Sequence, residues 1–159
     1  MSPFARLSHS AVSRAVILAA VAGTLLASSA QAEDKLPTPF TQEVLIKTSL
    51  LTLNDANVTG NYAVLHAKLA KPFRDQFNPD KLKQAFKPFA DKKIDFDFVV
   101  AKGPVATKDA EIDEKGVLRL NGFFEGSNAR VLYDLAFVPS EGDWKPIKLD
   151  VDIKPVAAK

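Results

Sequence analysis

An α+β domain, with N-terminal helices packed on a curved antiparallel β-sheet, is the architecture that the 159-residue sequence predicts. Apolar residues recur at helical spacing through the first half of the chain, as in Tyr62, Leu65, Leu69 and Phe73. After Lys93 the period drops to two, as in Leu118, Leu120 and Phe124, or Leu149, Val151 and Ile153. Glycine and proline punctuate the changes, at Gly60, Pro72, Gly103-Pro104 and Gly126.

The chain opens on a segment of different character. Arg6 and Arg14 are its only charges, and no acid precedes Glu33. Ala15 to Leu26 is an apolar run of about a dozen residues, short of the ~20 that a membrane-spanning helix needs. Ala30 and Ala32 then offer the small residues of an A-x-A cleavage site. Residues 1–32 are expected to be a signal peptide, cut between Ala32 and Glu33, which sends the protein to the periplasm or the medium. No stable membrane insertion is expected after the cut.

Removing that segment leaves 19 basic residues against 19 acidic ones and a net charge near zero. The basic character of the full chain therefore points to no nucleic-acid partner. His66 becomes the sole histidine. With no cysteine anywhere, thiol catalysis and structural zinc of the Cys/His kind are excluded, and an exported domain must be held by its core alone. The remaining 127 residues suffice for one such core.

Residues 33–40 read as a flexible lead-in, with Pro37 and Pro39, and residues 41–155 as a single domain. Thr38 can cap a helix running from Phe40 to about Asn57, with Val44, Leu45, Thr48, Leu51 and Thr52 as its apolar face. Gly60 stops it, and Asn61 can cap a second helix that Pro72 breaks near Lys71. Asn78-Pro79-Asp80 starts a third, whose buried face is Leu82, Ala85, Phe86 and Phe89. Ile94, Phe96, Phe98 and Val100 then alternate as a strand, with Asp95 and Asp97 outward. Ala110 to Ile112 is a candidate edge strand. Strands at Val117–Glu125, Arg130–Val138 and Trp144–Ile153 follow, joined by turns at 126–128 and 139–143. Their inward residues include Val131, Tyr133, Leu135 and Phe137, while Asp134, Asp150 and Asp152 alternate outward.

This order of elements resembles the nuclear-transport-factor-2-like superfamily, a cystatin-like cone of sheet wrapped around N-terminal helices. The residues that carry the resemblance are Leu50 to Asn57, Gly60-Asn61-Tyr62, Phe73-Arg74 and the closing Gly142-Asp143-Trp144-Lys145-Pro146-Ile147. The resemblance implies a pocket inside the cone, lined by Tyr62, His66, Phe96, Phe98, Leu120, Tyr133 and Leu135. The superfamily includes isomerases, dehydratases and adaptors, so it implies no single activity.

Chemistry-bearing residues are few. His66 shares a helix face with Tyr62, Leu69 and Phe73, where it is either a catalytic base or a core histidine bonded to a backbone carbonyl or a tyrosine. No carboxylate is expected beside it, because the strand register turns every aspartate outward. Asp109 to Gly116 alternates acids but lacks the glycine and glutamate of a calcium loop, so it reads as a solvated hairpin. No metal or cofactor is expected. Lys68 to Lys93 holds eight basic residues against three acidic ones, a basic face that suits either solvent or an acidic partner.

The leading expectation is a non-catalytic exported domain that binds a small apolar ligand or an envelope protein. The rivals are an isomerase- or lyase-like enzyme using His66, and a structural or dimeric adaptor using an outer sheet face around Val99, Phe123 and Leu132.

Overall fold

The computed structural model describes residues 15–18 and 35–156. Apart from Ala15–Leu18, the expected signal peptide and its cleavage site lie outside the described residues. Helix α1 (Pro39–Thr59) starts where its cap predicts: Thr41 N donates to Thr38 Oγ1 at 3.2 Å. It ends on Gly60, whose φ of 71° is the left-handed closure that glycine adopts without strain. In the short α2 (Ala63–Lys68), Ala63 N donates to Asn61 Oδ1. The expected break follows, and α3 (Lys71–Gln76) takes Pro72 in its first turn. Asn78 caps α4 (Pro79–Ala85), accepting from Lys81 N at 2.9 Å.

Three helices were expected, and five α-helices form among the described residues. The third splits at Phe86 into α4 and α5 (Lys87–Asp91), because Pro88 has no N–H to continue the ladder and its ring crowds the preceding turn. The buried face survives the split: Leu82, Phe86 and Phe89 have no exposed surface, and Ala85 is half-buried.

The larger correction concerns residues 94–100, which form no strand. Asp97–Ala101 is a short 3₁₀ helix. Its three-residue period buries Phe96 and Val99 together and leaves Val100 exposed, where alternation predicts Phe96, Phe98 and Val100 on one face. Asn54 on α1 holds the segment in this shape. Its Nδ2 donates to Asp95 Oδ1 at 2.8 Å, and its Oδ1 accepts from Phe96 N at 3.0 Å. Asp95 Oδ1 also accepts from Asp97 N, an Asx turn that competes with extended backbone.

The sheet is an antiparallel meander of β4 (Leu118–Glu125), β5 (Ala129–Ser140) and β6 (Asp143–Pro155). The short strands β2 (Val105–Ala106) and β3 (Glu111–Ile112) pair with the outer edge of β4. With these five the fold is α+β, helices first and sheet second. The sheet is not strongly curled, short of the cone that the resemblance implies. Strand β1 (Ala15–Leu18) lies antiparallel on the edge of β6, Ala15 opposite Val151. The turn expected over 139–143 is tighter, only Glu141-Gly142. Both have positive φ, 56° and 89°, as a two-residue type I′ hairpin requires.

The inner sheet face is the one the alternation predicts: Leu118, Leu120, Phe124, Val131, Tyr133, Leu135, Phe137, Leu149 and Val151 are all buried. Asp134, Asp150 and Asp152 lie on the opposite face, where Asp150 is nonetheless buried. The pairing shifts register between Ala136 and Phe137, leaving Ile147 as the extra residue of a bulge in β6.

Candidate functional site

Helix α1 is apolar on two sides. Ile46, Leu50, Leu53 and Ala56 face the core, with buried Asn54 and Asn57 beside them. Of the face expected to be buried, Leu51 packs against the core, while Val44, Leu45, Thr48 and Thr52 form one wall of a groove of about 410 Å³. Leu65, Lys68 and Leu69 of the α2 end close it on one side. Phe137, Trp144, Lys145 and Pro146 of the β5–β6 hairpin close it on the other. Val44 keeps 44% of its surface in solvent, although core helices normally cover such residues.

The bulge and the hairpin tip build the second wall. Pro146 O, turned out of the ladder, accepts from Ala70 N at 2.9 Å and ties the α2–α3 junction to β6. At the tip, Arg74 makes a bidentate pair with Glu141: Nη1 donates to Oε2 and Nη2 to Oε1, both at 3.0 Å. Arg74 Nη1 also reaches Leu69 O, and Lys145 Nζ donates to the same carboxylate. The bonds from Arg74 and Lys145 pull the Glu141 carboxyl down to about 2. The Phe73-Arg74 and Gly142-to-Lys145 segments singled out in the sequence thus meet here, across the fold.

The groove's polar atoms are arranged in series. Thr52 Oγ1 donates to Thr48 O at 2.7 Å and accepts from Lys68 Nζ at 2.9 Å. Ser49 Oγ is spent on Leu45 O. Thr48 Oγ1, one turn from Thr52, makes no bond to protein among the described residues. Asp143 is the single carboxylate of the lining.

None of the seven residues expected to line a pocket borders this groove. Tyr62, Phe96, Leu120, Tyr133 and Leu135 are packed into the core between helices and sheet. Tyr62 Oη donates to Asn57 Oδ1 at 2.6 Å, leaving Asn57 Nδ2 buried without a partner. Burial raises the Tyr62 phenol and pushes Tyr133 up to about 12. Phe98 is half-buried against Gly126. His66 is half-buried, with Nε2 3.2 Å from Arg74 O. A carbonyl only accepts, so that contact makes Nε2 the protonated nitrogen. Among the described residues neither Asp nor Glu bonds to the ring.

One further expectation is revised. Val99 is in the core and not on the outer sheet face. Phe123 and Leu132 are cross-strand neighbours there, half-buried, with the Arg130 guanidinium 4.2 Å over the Phe123 ring. Residues 109–116 form the expected exposed hairpin, with Glu111 in β3 and Asp113 and Glu114 in the turn to β4. Asp113 Oδ1 accepts from Lys115 N and Val117 N, and Oδ2 takes the Arg119 guanidinium at 2.8 Å. Among the described residues no group of acids or histidines is spaced to hold a metal ion, and no helix is long and apolar enough to cross a membrane.

The groove residues were missed because a helix apolar on two sides does not declare which side is covered. The signal was present in the combined set Val44, Leu45, Ile46, Leu50, Leu51 and Leu53, which is wider than one face.

No protein-family model, curated protein or solved structure matches the chain. Fold and groove together define a small α+β domain with an open apolar cleft.

Proposed function

We propose that the protein is an exported, non-catalytic domain that binds a small apolar ligand in the groove between α1, the end of α2 and the β5–β6 hairpin. The observation that carries this reading is the second apolar face of α1, left uncovered beside Trp144 and Phe137. The groove's volume of about 410 Å³ falls within the ~300–1,000 Å³ usual for small-molecule sites. Export rests on the charge pattern and small residues of the first 32 positions. Kinship with the nuclear-transport-factor-2-like superfamily rests on the order of elements and on the meeting of Arg74 with the hairpin tip.

Trp144 is the only tryptophan and lines the groove, so its emission reports occupancy. Titrating residues 33–159 with N-phenyl-naphthylamine, a neutral apolar fluorophore, is expected to quench Trp144 and raise the thermal midpoint. Leu45→Trp in a Trp144→Phe background fills the groove and is expected to abolish binding. Binding that persists in that variant, or no binding in the parent, overturns the reading.

A protein occupant is the second reading, favoured by Phe40. It lies one turn before Val44 on the same helix, is 76% exposed and extends the apolar strip beyond the groove. An envelope protein or a second copy would cover both. Sedimentation of the protein with and without Phe40→Ser tests the homodimer.

A further inference from the structure

We infer that the ligand of this groove carries an anionic head on an apolar tail, a carboxylate amphiphile, with the head seated on Lys68. The inference rests on the groove being a ligand site and adds the chemistry of what fills it.

Among the described residues, Lys68 is the groove cation that pairs with no carboxylate. The other lysine in the lining, Lys145, is held by Glu141. Outside the groove, Lys47, Lys71 and Lys87 each pair with an acid one turn away on the same helix. Lys68 Nζ instead donates to the neutral Thr52 hydroxyl at 2.9 Å, which occupies one of its three N–H groups. Thr52 orients the ammonium without neutralising it: its own proton is committed to Thr48 O, so its oxygen is free to accept from the amine. Thr48, exposed and one turn from Thr52, also lines the groove. An ammonium with two N–H groups to spare in an apolar cleft matches a carboxylate.

The opposite wall fixes the polarity. Asp143 belongs to the hairpin side and repels an anion, so the head is directed to the helix side. Leu45, Leu65, Leu69 and Phe137 then take the tail. A cationic amphiphile would seat its head on Asp143 and a neutral one would prefer neither wall, so the three head charges make different predictions.

The experiment titrates residues 33–159 with decanoate, decanol and decylammonium, following Trp144 emission. Decanoate is expected to bind about tenfold more tightly than decanol, the scale of one charged hydrogen bond, and to lose that advantage at high salt. Lys68→Met is expected to bring decanoate down to the level of decanol, with decanol itself unchanged, and Lys68→Arg to restore the preference. Lys68 is exposed, and the circular dichroism melt of each variant establishes that it folds. Equal affinities in the parent, tighter binding of decylammonium, or a decanoate preference that survives Lys68→Met each overturn the anionic head while leaving the groove as a site. Failure of all three probes to bind removes the groove as a ligand site.

Discussion

Gly122 shows how one side chain constrains the sheet. It faces the core opposite Tyr133, whose ring fills the space a side chain would take. A Cβ there would stand 2.3 Å from Val105 O and 2.5 Å from Tyr133 Oη. Gly122→Ala must therefore displace β2 or the ring, and it is expected to cost about 1–3 kcal/mol in urea unfolding. Glu141 makes the corresponding point for charge. Its carboxyl lies at about 2 against an ordinary 4.5, so its stabilisation is present above pH 4.5 and disappears as pH falls toward 2. Arg74 stays charged throughout, its guanidinium held up by the bond to Glu141. Glu141→Gln is expected to flatten the acid limb of a thermal-midpoint profile below pH 4.5 and to lower the midpoint at neutral pH; an unchanged acid limb would show that the pair is screened. Neither residue's role was legible in the sequence, since Val105 and Arg74 are brought to them only by the fold.

At the scale of elements, capping and breaking residues performed as local chemistry dictates. Thr38, Gly60, Asn61, Pro72 and Asn78 mark helix ends because their side chains or φ angles act within a few residues. The split helix α4–α5 keeps one buried face, with Phe86 edge-on to Phe89 at 6.2 Å. Phe86→Ala is expected to cost about 3–5 kcal/mol in denaturant unfolding; a loss below about 1 kcal/mol would mean the site collapses around the missing ring. Two elements were misread, and for one reason. The alternation of Ile94 to Val100 and the breadth of α1's apolar surface each fit two arrangements. Asn54 decides the first by taking Phe96 N, and the core side of α1 is decided by where the sheet lies.

For the whole molecule, the N-terminal strand and the sheet edge are coupled. Ala15–Leu18 pairs with β6 from Lys148 to Val151, so trimming at Ala32 would remove that strand and open the edge. The mature N-terminus is expected at Glu33 by sequencing of the exported protein. Hydrogen exchange should then be faster over Lys148–Val151 in the trimmed protein than in the precursor. Retention of Leu18 or Leu26 in the exported form would refute the processing, and equal exchange would refute the pairing.

The sequence by itself determined the α+β class, the order of helices before strands, most helix ends and the inward residues of β4, β5 and β6. Each follows from backbone sterics, local hydrogen bonding and the period of apolar residues, all of which act within a few positions. Only the tertiary structure decided which side of α1 is covered, that Ile94 to Val100 is not a strand, that Arg74 closes on Glu141, and that Lys68 meets Thr52 at the mouth of a groove. Those outcomes depend on partners far apart in the chain, and a residue's own pattern carries no record of what will be packed against it.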